Sequence, residues 1–544
     1  MSEHLGQPLV GLSAHSRRDF LGYSLKAVAA AGAGTLLAAC SSSGTKAASS
    51  ATSKSATSVA ATRPKRGGTL TVGLTGGGSG DTINAGHAAE NLDFTRMTQL
   101  YDVLVEADLN SILQPALAEE ITANSDSTVW TIRLRKGVTF HNGKDLTSED
   151  VLFTINRIVS EKTFGAAGFT LVDVKNIKIV DPLTLQVPCL SPYSTFQYAF
   201  YNHGFAGIIP VGYDPTKPVG TGPFMYKSFT PGQESVFVKN PNYWQDGEDG
   251  LPLPYVDQLV ISDYSDESSM VNALVSGAVS AISPLTPPSI AALTGGGKSH
   301  TVSEAGYWVP FCMRTDVAPF NLVDVRQAFR LLVNRPQMLE EVYSGLGTVG
   351  NDLFAVTDPA YDTSLPQRVQ DIEQAKFLLK KHGLENMTTT LVTGDIYNGA
   401  VQAATVFAEQ AKAAGVTVNL SNIPSSTLYG PNYLKWTFSQ DWWGPNPYLI
   451  DVSQATLNTA PINECHFDNA QYNQLYSEAL AAPFGSTKQT DIVHEMMTID
   501  YNEGGYIIPF FAPSIDGYAP NVVGPVPNKI GPLSGGFFKT FWFK

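Results

Sequence analysis

Apolar and polar residues alternate along the early part of the chain, and the period lengthens toward 3.6 residues in the second half. Residues 69–74 (TLTVGL) alternate, which predicts a strand running into the glycine-rich loop TGGGSGDTINAG at 75–86. In STVWTIRLRKGVTF (127–140), Trp130, Ile132 and Leu134 alternate with Thr131, Arg133 and Arg135, the signature of a strand buried on one face. Asn142-Gly143 marks a turn. Thr147 and Asp150 have capping-box spacing, and Val151, Ile155, Ile158 and Val159 then share one helical face. Residues 174–187 predict a hairpin over Asp181-Pro182.

Further on the helical period dominates. In DVRQAFRLLVNRPQMLEEVYSG (324–345), Val325, Ala328, Phe329 and Leu332 form a stripe, Asn334-Arg335-Pro336 restarts the helix, and Gly345 stops it. DIEQAKFLLKKHG (371–383) turns Ile372, Ala375 and Leu379 inward, with a basic last turn and a terminal glycine. Residues 400–420 read as a helix passing through Gly415 into a strand. Strands and helices alternating in this way favour α/β layers. No repeat of fixed period is present.

The N-terminus breaks this pattern. A membrane-spanning helix needs about 20 predominantly apolar residues. In residues 16–44 Lys26 interrupts, and the uncharged stretch 27–39 is mostly Ala and Gly. A basic start, a short apolar middle and small residues before a cut describe a secretory signal. Arg17-Arg18 before Asp19-Phe20-Leu21 resembles a bacterial twin-arginine export signal. Leu37-Ala38-Ala39-Cys40 resembles a lipobox, whose cysteine is diacylated after cleavage. The expectation is a signal peptide over 1–39, a lipidated Cys40, and a disordered tether over 40–66, rich in Ser, Ala, Thr and Lys.

Removing residues 1–39 removes three basic and two acidic residues and takes the formal charge from −14 to −15. That charge disfavours nucleic acid or anionic lipid as the main partner. The remaining chain is long enough for two or more domain-sized cores. Cys189, Cys312 and Cys465 follow Cys40, and export permits a disulfide, with Cys312–Cys465 one possible pair. No CxxC or Cys/His metal spacing occurs, and no cofactor is expected.

Four stretches carry a family resemblance. They are residues 117–158 (LAEEITANSD…LFTINRI), 219–244 (VGTGPFMYKSFTPGQESVFVKNPNYW), 318–339 (APFNLVDVRQAFRLLVNRPQML) and the 371–383 helix. Together they resemble the family-5 solute-binding proteins of ABC importers, of the dipeptide- and oligopeptide-binding type. The resemblance implies an α/β, two-lobe periplasmic-binding-protein-like fold (type II), with a hinge between the lobes and an extra subdomain in lobe one. Lobe one would span 67–262, with the subdomain at about 108–225. Lobe two would span 263–510, and residues 511–544 would return to lobe one. It also implies a monomer outside the cytoplasm, held at the cell membrane by its lipid, that passes a solute to a permease and its ATPase subunits. Gly220, Gly222 and Pro223 read as structural, with glycines suited to positive φ. Tyr243 and Trp244 read as core.

Solute sites between lobes are mostly apolar with a few placed polar groups. The first candidate is WTFSQDWWGPNPY (436–448). Related peptide binders carry in the matching stretch an aspartate that receives the peptide ammonium. Asp441 is the best match, flanked by Trp442 and Trp443, although Asn446 replaces the family's second acid and the stretch is two residues longer. The second is YWVPFCMR (307–314), where Pro310 implies an irregular strand. There Trp308 and Phe311 could flank a ligand. Arg314 could clamp a carboxylate or form an ordinary salt bridge. The third is the 75–86 loop, with Asp81 and Asn84; Tyr429 and Tyr448 complete the set. Asp441 and Arg314 favour a peptide; the tryptophans alone would suit an oligosaccharide.

An exported hydrolase is the remaining alternative. GGGKS (295–299) lacks the first glycine of a phosphate-binding loop, His494-Glu495 lacks a second histidine, and no GxSxG elbow occurs. No catalytic residues are expected.

Overall fold

The computed structural model describes residues 63–544, so the expected signal segment, Cys40 and tether residues 41–62 lie outside the described residues. The chain is docked one residue before the expected start of the body. Arg66 bonds Asp249 twice, at 2.7 and 2.8 Å, and also reaches the carbonyls of Leu251, Pro252 and Pro254.

The first alternating segment forms β1 (Thr69–Thr75), with Leu70 and Val72 buried. Helix α1 (Asn91–Leu100) follows the glycine loop from a capping box made by Glu90 and Asp93. Next come β2 (Ala118–Ala123), β3 (Val129–Leu134), α2 (Ser148–Glu161), β4 (Lys178–Asp181) and β5 (Thr184–Pro188). The four strands make a separate antiparallel sheet in the order β2-β3-β5-β4, within the range expected for the inserted subdomain. Trp130, Ile132 and Leu134 face its core, while Arg133 points out to Glu120 at 2.9 Å. The Thr147/Asp150 capping box opens α2, which buries Val151, Ile155 and Ile158.

The chain then adds β6 (Phe224–Thr230), β7 (Glu234–Lys239), β8 (Gln258–Tyr264), α3 (Glu267–Ser276), β9 (Ala281–Ser283) and β10 (Ser299–Trp308). Strand β1 pairs in parallel with β8 on one side and β9 on the other. Gly220 and Gly222 are needed for close approach rather than positive φ. A Cβ on Gly220 would stand 2.0 Å from the Leu100 carbonyl oxygen, and one on Gly222 2.4 Å from that of Gln99.

The second lobe holds β11 (Phe311–Met313), α4 (Val323–Leu331), α5 (Arg335–Tyr343), α6 (Ile372–Lys380), β12 (Thr388–Thr393), α7 (Ala400–Ala411), β13 (Thr417–Asn422) and β14 (Phe438–Gln440). After these come α8 (Ala470–Ala481), α9 (Thr487–Glu503) and β15 (Tyr506–Ile507). Its sheet runs β13-β12-β14-β11-β15. The Asn334 side chain caps α5, accepting from the Gln337 amide, and Pro336 sits in the first turn where its missing N–H costs nothing. Strand β16 (Phe510–Tyr518) returns to the first sheet, whose order is β10-β16-β9-β1-β8-β7-β6.

Two direct strand-to-strand crossings join the lobes, and Thr348–Val349, between α5 and α6, also pairs with the start of β16. Strand β10 reaches β11 through Val309-Pro310, and β15 reaches β16 through Ile508-Pro509. Each proline removes a ladder donor where the chain changes sheets. The expected border at 262/263 is therefore corrected: β9 and β10 belong to the first sheet, and the chain leaves it only after Trp308. Alternation identifies a strand but not its partner, because pairing is a long-range choice. Cys312 and Cys465 are both buried with free thiols.

Candidate functional site

The 436–448 stretch folds back against the β10–β11 crossing. Trp443 donates its amide to the Trp308 carbonyl at 2.9 Å, and Trp308 returns the bond at 3.1 Å. Their rings stack at 5.5 Å and 12°, with Phe354 against the other face of Trp308 at 5.4 Å. Both tryptophans are fully buried, and the Trp443 indole N–H donates to Glu464 Oε1 at 2.9 Å. These rings build the second lobe's interior beside the hinge and offer no free face.

Asp441 lies beneath them. Its oxygens accept the Tyr429 hydroxyl at 2.9 Å, the Tyr433 hydroxyl at 2.8 Å and the Trp442 amide at 2.8 Å. Burial pushes its carboxyl up to about 6, and Glu464, buried nearby and also bonded by the Tyr506 hydroxyl, is pushed well above the usual range. Taking three internal donors and lying fully buried, Asp441 presents no oxygen to a solute in this structure. What Asp441 does is fix the turn that presents Trp442.

Trp442 is half-buried and packs against the cores of both lobes. It stacks on Tyr397 at 5.4 Å, and Tyr397 stacks on Tyr307 at 5.9 Å. Tyr307, the last ring of this ladder, lines a pocket with Leu74 and Thr75 at the end of β1, Ser283 and Pro284 at the end of β9, Asn91 and Phe94 of α1, and Pro532. The pocket thus sits outside the carboxyl ends of two parallel strands, where open α/β sheets leave a crevice. Phe94 meets Phe205 edge-on at 5.1 Å. Beyond Phe205 opens a second, larger pocket between residues 164–205 and residues 446–454. The Tyr201 hydroxyl spans it, donating to Asn446 Oδ1 at 3.0 Å. The Phe94–Phe205 pair stands between the two pockets; the first is walled by the first sheet and its attached segments, and the second takes walls from residues 164–205 and 446–454.

The other expected residues lie apart from these pockets or are engaged within their lobe. Phe311 packs on Phe407 at 4.8 Å inside the second lobe. Arg314 pairs with Asp316, at 2.9 Å through Nε, and donates to the Lys435 carbonyl. Tyr448 donates to Asp500 at 2.6 Å and stacks on Phe354. Asp81 takes Arg96 at 2.8 Å, and the same guanidinium bonds Asp263 twice, at 2.7 and 2.9 Å. Burial, opposed by Arg96, leaves Asp263 pushed up to about 6. Asn84 Oδ1 accepts Arg157 at 2.9 Å, which ties the glycine loop to α2.

Phe94, Phe205, Tyr201, Tyr307 and Asn446 line these pockets and are not among the residues expected from the sequence. Asn446 carried a signal, as the departure from the expected acid. The aromatics sit in segments with no local mark. Among the described residues, Asp102, Glu106 and His203 alone have metal-ligand geometry. The Lys539 ammonium already lies 3.3 Å from Glu106, and Asp102 accepts Thr221, Tyr243 and Trp244 at 2.9–3.0 Å, so internal partners fill that place.

Residues 113–460 match the family model for bacterial extracellular solute-binding proteins, family 5 (middle). The chain is 26% identical over 457 residues to heme-binding protein A of Haemophilus influenzae, covering 75% of this chain and 81% of the relative. It is 24% identical over 458 residues to the oligopeptide-binding protein AppA of Bacillus subtilis, covering 77% and 82%. The fold matches the binding protein DppA of Helicobacter pylori in complex with the peptide STSA, with a TM-score of 0.73, 19% identity, and 88% and 98% of the two chains covered. It also matches the substrate-binding protein CtaP of Listeria monocytogenes, with a TM-score of 0.76, 19% identity, and 88% and 100% covered.

Proposed function

Because the chain belongs to the bacterial extracellular solute-binding proteins of family 5, the solute receptors of ABC importers, we propose that its interlobe cleft captures a peptide or similar small organic solute. The observation that carries this is the meeting of both lobes at Trp442, beside two strand crossings that let one lobe swing against the other. A solute that touches both lobes gains contacts only when they are closed, so binding and closure are one equilibrium. The chemistry is capture and release, with no bond broken. Two relatives' names speak for a peptide, the oligopeptide-binding AppA and the peptide complex of DppA.

Recognition runs through ring faces and amide groups, since Asp441 and Arg314 are both committed to internal partners. That same observation supports an oligosaccharide as the second reading, because stacked rings without charge suit a sugar.

Outside the described residues, Leu37-Ala38-Ala39-Cys40 supports cleavage before Cys40 and anchoring by its lipid, and Arg17-Arg18 supports twin-arginine export. Among the described residues no helix is long and apolar enough to cross a membrane. The anchored body works as a monomer. Cys40→Ala should move the protein out of the membrane fraction; a variant that stays bound refutes the anchor.

Native mass spectrometry of the purified protein tests the ligand class. Co-purified peptides support the leading reading, and oligosaccharide alone overturns it. Trp442→Ala should weaken binding at least tenfold and abolish the ligand-dependent compaction seen by small-angle scattering. Unchanged affinity would remove Trp442 from the site.

A further inference from the structure

The pocket beyond Phe205 differs from an ordinary interlobe gap. It is lined by Phe164, Tyr198, Tyr201, Phe205, Asn446 and Gln454, with small residues between, and no charged side chain faces it in a chain of formal charge −14. Its rings are fixed by one another. Tyr198 meets Tyr201 edge-on at 5.6 Å and Phe484 at 5.7 Å, while Phe164 leans on Phe205 at 6.0 Å. The Asn446 amide is held at both ends, by the Tyr201 hydroxyl on Oδ1 and by donation from Nδ2 to Asp451 at 2.8 Å.

The floor has an unusual backbone. A short helix over Tyr448–Asp451 widens at once into a π-helical turn over Val452–Thr456. Such turns are rare and often mark functional sites, because the extra residue per turn re-aims side chains. Here the turn carries Ser453 and Gln454, both of which line the pocket. Gln454 Oε1 is buried and has no hydrogen-bond partner. A buried acceptor left unpaired is destabilising, so this one stands to gain from a donor brought by a guest.

We propose that this is a selectivity pocket for an uncharged ring bearing a hydrogen-bond donor at its edge, the phenol of a tyrosyl or the indole of a tryptophanyl residue in the bound peptide. The assignment rests on the peptide reading above. The guest ring lies against Tyr198, Tyr201 and Phe205, and its O–H or N–H meets Gln454 Oε1 once that amide turns out of its present sealed position. A lysyl or glutamyl side chain would lose its hydration here and find no counter-ion on the walls. Asp358 and Asp451 stand behind the lining: Asp358 already accepts the amides of Ala360 and Tyr448, and Asp451 accepts Asn446 on Oδ1 while its Oδ2 is sealed from the pocket without a partner.

Calorimetric titration of the purified protein with tripeptides tests this, each carrying one Tyr, Trp, Phe, Lys, Glu or Ala among alanines, placed at each position in turn. At one position Tyr and Trp should bind at least tenfold tighter than Ala, and Lys and Glu more weakly than Ala. Gln454→Leu should cut the preference for Tyr over Phe by roughly two- to tenfold, the worth of one hydrogen bond. Equal affinity across the panel, or tightest binding by the lysyl peptide, overturns the pocket and leaves the peptide reading standing. Binding of no peptide at all overturns both.

Discussion

Asp516 lies on β16, next to the cleft, and ties two segments together. It accepts the Ser283 hydroxyl at 2.7 Å and the Leu533 amide at 2.9 Å. It is fully buried, and burial pushes its carboxyl up to about 7, with those two bonds pulling the other way. An aspartate in the unfolded chain titrates near 3.9. The folded state therefore holds this proton over a window, roughly pH 4 to 7, in which the unfolded state has released it. Where the native state binds more protons, stability falls as pH rises. The contribution of Asp516 is thus fully present below about pH 4 and is lost as pH rises through about 7. A difference of about 3 units at 1.36 kcal/mol each amounts to about 4 kcal/mol. Asp516→Asn removes the titration and keeps the shape. The amide oxygen can accept from Leu533, and the Ser283 hydroxyl can turn to accept from the new NH2 group. Denaturant unfolding at pH 4.5 and 7.5 is the assay. The wild-type protein should lose several kcal/mol more than the variant between the two. Equal losses would show that this carboxyl does not carry a raised pKa, and the burial argument would fail.

Other perturbations test the framework around the cleft. Asp352 is buried against Arg335 at 2.6 and 2.7 Å and Arg368 at 2.7 Å, and it accepts the Ile508 amide at the second crossing. Asp352→Asn leaves buried guanidiniums without a counter-charge and should cost about 3–5 kcal/mol, read as a large fall in Tm by calorimetry; a negligible shift would contradict the ion-pair account. Gly220→Ala drives a Cβ into the Leu100 carbonyl and should cost about 1–3 kcal/mol in the same assay. Gly78→Ala, where no atom lies within 4 Å of the added carbon, should be near neutral, and equal costs at the two sites would refute the close-approach reading.

The local grammar of the chain is strong enough to be read directly. The Thr147/Asp150 box starts α2, Asn334 and Pro336 separate α4 from α5, and Asp181-Pro182 turns β4 into β5. Each depends on residues within a few positions of one another, so sequence alone determines it. The family is legible for the same reason, since its motifs are contiguous. The cleft is not. Trp442 and Trp443 are neighbours, yet one bridges two lobes and the other is sealed against Trp308. Composition cannot separate them, because the face each ring presents depends on what packs there from distant segments. Tyr201 and Asn446 meet across 245 residues, and Phe94 and Phe205 across 111. Arg314 and Asp441 had the right chemistry for peptide termini, but close neighbours in the chain, Asp316 for the one and Tyr429, Tyr433 and the Trp442 amide for the other, hold their hydrogen bonds. The lobe border moved for a long-range reason: β9 and β10 had to pair with something, and only the assembled sheet fixed which edge they joined. Near-neighbour interactions settle the elements. Long-range packing, with the loop-closure entropy it must overcome, settles which side chains are left free to meet a guest.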